Sequence, residues 1–212
     1  MNLLLLTDGR FPAGGHAHSG GIEAAVMAGR VTGVDTLAVF LAGRLTTAGR
    51  VAAALAAAAA SGAHDLVELD AEAAARIPSP ALRAASRTLG RQLLRTARSV
   101  LDAADLPDDL HHPVAMGVVC AATSGLGPAD AARWAAYDAI SGPASAAVRL
   151  LGLDPFRAWG VVAALMPEAD AIAAGAAAGA ARPLTHLPSC SAPLLDIGAE
   201  HHAASEVRLF AS

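Results

Sequence analysis

Lysine is absent: all 15 basic residues of the 212-residue chain are arginine. A Walker A loop sets a lysine on the nucleotide phosphates, and Schiff-base chemistry needs a side-chain amine, so both are excluded. Aromatic residues make up only 3% and charged residues 16%. Cysteine is nearly missing too. Cys120 and Cys190 lie far apart and outside any C-x-x-C pattern, which argues against a disulfide framework or a structural zinc site and for a reducing compartment. A net charge of −4 gives no global positive field to draw the chain to nucleic acid or to anionic lipid. The opening MNLLLLTDGR has too short an apolar run, and no basic lead, for a signal peptide. The uncharged stretch from Leu110 to Ala129 is interrupted by His111-His112-Pro113 and Gly127-Pro128, leaving too little to span a bilayer. The expectation is a cytoplasmic protein.

What is abundant is apolar and small. The hydrophobic fraction is 54%, much of it alanine, the best helix former and a residue that lets helices approach closely. Helical periodicity recurs without a convincing strand, so the expected fold class is all-α, a single globular multi-helix domain over residues 1–212. Met1–Asp8 reads as a short apolar segment. Ser19 or Gly20 caps a helix running to Ala28, and Asp35 caps the next, with Leu37, Phe40, Leu41 and Leu45 on one face. Val51–Ala60 is almost pure alanine, and a helix from Asp65 to Ile77 follows. Ser79-Pro80 starts a helix to about Leu101, with Leu82, Leu89, Leu93, Ala97 and Val100 as apolar contacts. Asp102–His112 reads as a loop. Further helices fall at Val114–Thr123, Pro128–Leu151, Pro155–Leu165, Glu168–Ala181 and Pro193–Glu206, the last after a proline-rich connection.

Three features carry possible chemistry. His16 and His18 in RFPAGGHAHSGGIEAAV have the spacing of an H-x-H metal pair, which would make a small metal-dependent hydrolase if a third ligand came from elsewhere. Surface or packing histidines are the plainer reading. The glycines there do not fit G-x-G-x-x-G, and no strand precedes them. In the C-terminal helix Glu206 follows His202 by four residues, the spacing of an ordinary helix-surface hydrogen bond. Arg83, Arg87, Arg91, Arg95 and Arg98 fall within about a 120° arc of one helix, with no acidic residue between Glu72 and Asp102. This stripe is either a solvated polar face or a dock for an acidic protein surface, with Arg87 and Arg91 at its centre. The apolar end of RLFAS either packs back on its own domain or orders on a partner.

The order of several short motifs resembles the urease accessory protein F (UreF) family. The N-terminal signature is carried by Leu5, Asp8, Pro12, Gly14, Gly15, His18, Ser19, Gly21, Ile22 and Glu23, and a middle element by SRTLGRQLLR, Ser86 to Arg95. HPVAMGVVCAATSGL and SAPLLDIGAEHHAASEVRLFAS match the family's later helix and C-terminal element. The resemblance implies a non-enzymatic, all-helical assembly chaperone. Such proteins join accessory protein D (H in some species), recruit the accessory GTPase G, and dock on apo-urease for nickel insertion, commonly as a homodimer. It implies no cofactor of the chain's own, with nickel handled by the wider complex. Carried over residue by residue, Gly14, Gly15, His18, Ser19 and Glu23 would shape a partner-binding surface. Arg208, Leu209 and Phe210 would form a partner-binding element within a C-terminal tail at about 183–212. His16 and His18 stand where the family usually has aromatics, and Val207 where a tyrosine often precedes R-L-F. A helical interaction module for some other complex shares the same physical features.

Overall fold

The computed structural model describes residues 3–9, 11–101, 103–206 and 208–210. The expectations touching Met1, Asp102, Val207 and the last two residues lie outside the described residues. The described chain is all-α and strand-free, and its helices share one core. In order they are α1 (Leu3–Thr7), α2 (Ile22–Met27), α3 (Val34–Arg44), α4 (Arg50–Ser61), α5 (Leu66–Ala75), α6 (Pro80–Val100), α7 (His112–Ala122), α8 (Pro128–Leu151), α9 (Pro155–Gly179) and α10 (Pro193–Ala203). Short 3-10 turns at Gly15–Ala17 and Leu184–His186 punctuate the loops.

The alanine-rich α4 is the axis of the fold. Ala53 to Ala59 are all buried, and α4 packs against α7, α8 and α9 together. Small side chains make that possible. A Cβ on Gly117 of α7 would collide with the Ala56 carbonyl, so the two backbones nearly touch. The same holds where α6 meets the start of α7: a Cβ on Gly90 would strike the Leu110 carbonyl.

The capping chemistry is local. Asp65 Oδ1 accepts from the backbone N–H of Val67 (2.9 Å) and Glu68 (3.0 Å), and Ser79 Oγ caps Leu82 N–H ahead of Pro80. Elsewhere the boundaries move. Gly33, not Asp35, is the N-cap of α3, because Thr36 Oγ1 accepts from the Gly33 N–H (3.1 Å) and Asp35 already lies in the first turn. Gly21 is the N-cap of α2, while Ser19 supports it from two residues earlier. A π-helical turn at Leu45–Gly49 joins α3 to α4 without a break. Likewise α9 runs straight through Pro167, where two helices were expected. Pro167 is exposed, and the Ala163 carbonyl that loses its N–H partner is on the exposed side, where water can satisfy it. The last helix ends at Ala203 rather than Glu206. Through these continuities, residues 34–61 and 155–179 are long and apolar enough to cross a membrane by length and composition, and each also lends buried residues to the helical core. Leu93 and Ala97 are buried as expected, Leu82 and Leu89 are half-buried, and Val100 is 50% exposed.

Candidate partner-binding site

The N-terminal loop is seated by its glycines. Gly14 (φ 81°) lies on α6, where a side chain would collide with the Gln92 carboxamide. Gly20 (φ 61°) lies on α8, where a Cβ would come within 2.8 Å of Pro143 Cγ. Both need a left-handed backbone and bare contact at once, which glycine alone supplies. Gly15 is open to solvent. Side chains from the bundle hold the loop by its carbonyls: Thr96 Oγ1 donates to Pro12 O (2.8 Å) and Arg149 Nη2 to His16 O (3.2 Å). Ser19, fully buried, accepts weakly from the N–H groups of Gly21 (3.3 Å) and Glu23 (3.4 Å) and so sets the start of α2.

That start positions Glu23, a buried carboxylate at 4% exposure. It gathers three donors from the far end of the chain: His202 Nε2 at 2.7 Å, Leu209 N–H at 2.8 Å and Phe210 N–H at 3.1 Å. His202 is buried on α10 and faces Glu23, so the expected surface pairing with Glu206 does not form; Glu206 lies beyond the helix end. Phe210 is buried at 7% exposure, with the Arg149 guanidinium 4.5 Å from its ring centroid in a cation–π contact. Arg208 and Leu209 point outward, Leu209 at 76% exposure. The R-L-F element thus packs back on the domain through its backbone and one ring while offering the other two side chains to solvent.

On α6 the arginine stripe is largely engaged by other parts of the chain. Arg87 Nη2 lies 2.6 Å from the buried Asp70 carboxylate and its Nη1 3.9 Å from Asp109, and Arg91 lies 3.4 Å from Asp109. Arg98 pairs with Asp108 (2.7 Å), and Arg83 donates to the Ile77 and Pro78 carbonyls. The carboxylate partners come from α5 and the loop after α6, and the carbonyls from the turn just before α6. Asp70 also accepts from the His111 N–H (2.7 Å), and Ser86 Oγ from the His112 N–H (3.1 Å), so this network fixes the start of α7. Ser86, His111 and Asp70 do not form a nucleophilic triad. Asp70 bonds the backbone nitrogen of His111, and among the described residues no carboxylate is hydrogen-bonded to its imidazole.

His18, Arg44, His112 and Asp138 line a cavity of about 270 Å³ beside the π turn. Burial pushes the His18 pKa below its ordinary 6.5, helped by His112 and His16; burial does the same to His112, with Asp138 opposing. His16 is exposed. Among the described residues no group of three His, Cys, Asp or Glu side chains could share a metal ion, so the H-x-H pair gains no third ligand there. Burial, and then Asp130, pushes the Cys120 thiol up to about 12, which leaves it unreactive.

The fold and this site define an all-helical domain whose N-terminal loop and C-terminal tail are tied together at Glu23, with Arg208 and Leu209 left facing outward. The UreF family model matches residues 31–166 of the chain. A urease accessory protein UreF from Mycobacterium sp. (strain JLS) is 44% identical over 213 residues, covering 99% of this chain and 97% of that relative. Proteins of the same name from Mycobacterium marinum and Mycobacterium tuberculosis are 44% and 42% identical with the same coverage. The chain belongs to the UreF family. The family model's span excludes both the N-terminal loop and the tail, whereas the relatives align through both. Sequence reasoning missed Arg149 and Thr96, which hold the loop and the tail, and Gln92, against which Gly14 packs. Each lies in an ordinary helical pattern with no local signal of its long-range contact.

Proposed function

We propose that the chain is a non-enzymatic assembly adaptor in urease maturation. It joins accessory protein D (H), recruits the accessory GTPase G and docks on apo-urease. It works as a homodimer within that complex, in the cytoplasm, without nucleic acid or membrane. Nickel is cargo of the wider complex, and the chain has no resident cofactor. The relatives' name as urease accessory proteins supports the process. The observation that carries the partner reading is the outward pair Arg208 and Leu209 on a backbone pinned by Glu23. An exposed leucine beside an arginine, already ordered, is the material of an interface anchor and loses little entropy on binding. The loop, tied to the Phe210 site by Arg149, would widen the same surface through Gly14, Gly15 and His18, with Ser19 buried beneath it to set the start of α2. Arg87 and Arg91 on α6 would contribute by exchanging Asp109 for a partner's carboxylates.

Co-expression of the chain with D, G and apo-urease tests this. D and G co-purify with the wild-type chain, and Leu209→Ala lowers D capture by about 10–30-fold, the loss of an interface anchor of about 1.4–2 kcal/mol. Its helical content stays unchanged, since the side chain is exposed. Normal urease maturation in cells lacking the chain would overturn the proposal.

A further inference from the structure

We infer that the groove between α4, the second half of α9 and the 182–188 connection docks an acidic helix of a partner protein. The inference goes beyond the role proposed above and does not depend on it. The groove encloses about 440 Å³. Its floor is apolar and partly buried: Ala54 at 7% and Ile172 at 9% exposure, flanked by Leu187. From α9 the groove takes Ala171, Gly175 and Gly179, spaced by four and therefore on one stripe. A Cβ built on Gly175 or Gly179 would meet nothing within 4 Å, so the space above both is open. A helix surface cut down in this way admits a second helix close to its backbone.

Charge specifies the occupant. Arg50, in the first turn of α4, and Arg182, just beyond α9, stand on the rim with His186. Both arginines are exposed, and neither guanidinium makes an ion pair or hydrogen bond among the described residues. The arginines of α6 differ, since most are held by the chain's own carboxylates or carbonyls. Two uncommitted guanidiniums over an apolar floor, on a chain of net charge −4, select carboxylates set beside small apolar side chains. Glu168 lines the groove 11 residues before Gly179, about 16 Å away along the helix axis at 1.5 Å per residue. Arg182 and Glu168 thus lie at opposite ends of the α9 stretch, and Arg50 adds a second cation at the start of α4.

The rim is preformed. Arg76, itself paired with Glu72, donates to Pro188 O (3.0 Å) and Leu187 O (3.4 Å). His64 Nε2 bonds the Ala180 carbonyl at 2.8 Å and ties the end of α9 to the turn after α4. Little ordering of the groove is left for the partner to supply.

The test places the photo-crosslinker p-benzoylphenylalanine at Ala171, an exposed groove residue, in the full chain expressed in its own cells, with the attached peptide sequenced by mass spectrometry. The expected product is a helical partner segment of net negative charge. The Arg50→Glu, Arg182→Glu double variant lowers its yield about tenfold without changing the melting temperature. Gly175→Leu, which fills the groove with a better helix former, abolishes it. Absence of crosslinks, crosslinks to a second copy of the chain, crosslinks to a neutral or basic segment, or a yield indifferent to charge reversal would each overturn the inference.

Discussion

Removing the Glu23 carboxylate should release the C-terminal tail while leaving the helical core folded. Two of its three hydrogen bonds reach the tail backbone, at Leu209 and Phe210, and the third reaches His202 on α10. A net hydrogen bond contributes about 0.5–1.5 kcal/mol, so the two tail bonds supply about 1–3 kcal/mol. Burying the Phe210 ring adds about 1.5–3 kcal/mol and its contact with Arg149 about 0.5–1 kcal/mol. Against these stands the ordering of residues 208–210, about 1–2 kcal/mol each. The two sides differ by only a few kcal/mol, so the tail is held with little margin and the Glu23 bonds decide its state. In Glu23→Ala, hydrogen exchange of the peptide spanning 204–212 should accelerate about 10–100-fold, equivalent to about 1.4–2.7 kcal/mol. Glu23→Gln, which keeps one acceptor oxygen, should fall between. The melting temperature should drop only a few degrees, since about 1 kcal/mol moves a domain of this size by roughly 2–4 °C. Tail exchange within twofold of wild type in Glu23→Ala would refute the reasoning and make Phe210 burial sufficient by itself.

Other perturbations separate local from long-range parts of the account. Gly90→Ala drives a methyl group into the Leu110 carbonyl and should cost about 1–3 kcal/mol, read as a melting-temperature drop of roughly 3–10 °C; an unchanged melting curve would deny the close approach. His18, His111 and His112 have pKa values held below 6.5, chiefly by burial, so the unfolded chain binds protons more tightly than the folded one. Stability is therefore complete above about pH 6.5 and falls as the pH drops toward the lowered folded values; urea unfolding at pH 7.5, 6.5 and 5.5 should show this decline, and a flat or rising trend would contradict it. Arg87→Glu sets a second negative charge against buried Asp70 and should destabilise by about 3 kcal/mol or more, whereas Arg91→Glu, on an exposed pair, should cost less than about 1 kcal/mol. Equal melting temperatures for the two variants would mean the Arg87–Asp70 pair does not hold α5 to α6.

The parts of this structure written in local patterns were the legible ones. Ser79-Pro80 carries its own cap and its own start geometry, and the Val51–Ala60 run admits little besides a buried helix. Breaks were read too readily where local rules favoured them. Pro167 ends a helix on paper, but its missing hydrogen bond faces solvent and the buried face of Ala169, Ile172 and Ala173 carries α9 onward. Asp35 has a capping side chain, yet Thr36 closes the turn on Gly33 instead. Long-range pairs left no mark at all. Glu23 and His202 are separated by 179 positions, and the i,i+4 rule sent His202 to Glu206. The arginine stripe of α6 was visible, but its carboxylate partners at Asp70, Asp108 and Asp109 lie on other elements, where no helical period points to them. The loop before α2 and the R-L-F element were each visible in the sequence as separate motifs. That one carboxylate joins them was not.

The most direct test of the adaptor account is the nickel content of urease purified from cells carrying the complete set of accessory proteins, with the chain intact, deleted, or bearing Arg208→Ala and Leu209→Ala together. The account predicts full nickel occupancy with the intact chain and near-empty urease on deletion. It predicts strongly reduced occupancy with the double variant, whose fold is preserved because both side chains face solvent. Full nickel occupancy in the deletion strain would contradict it outright.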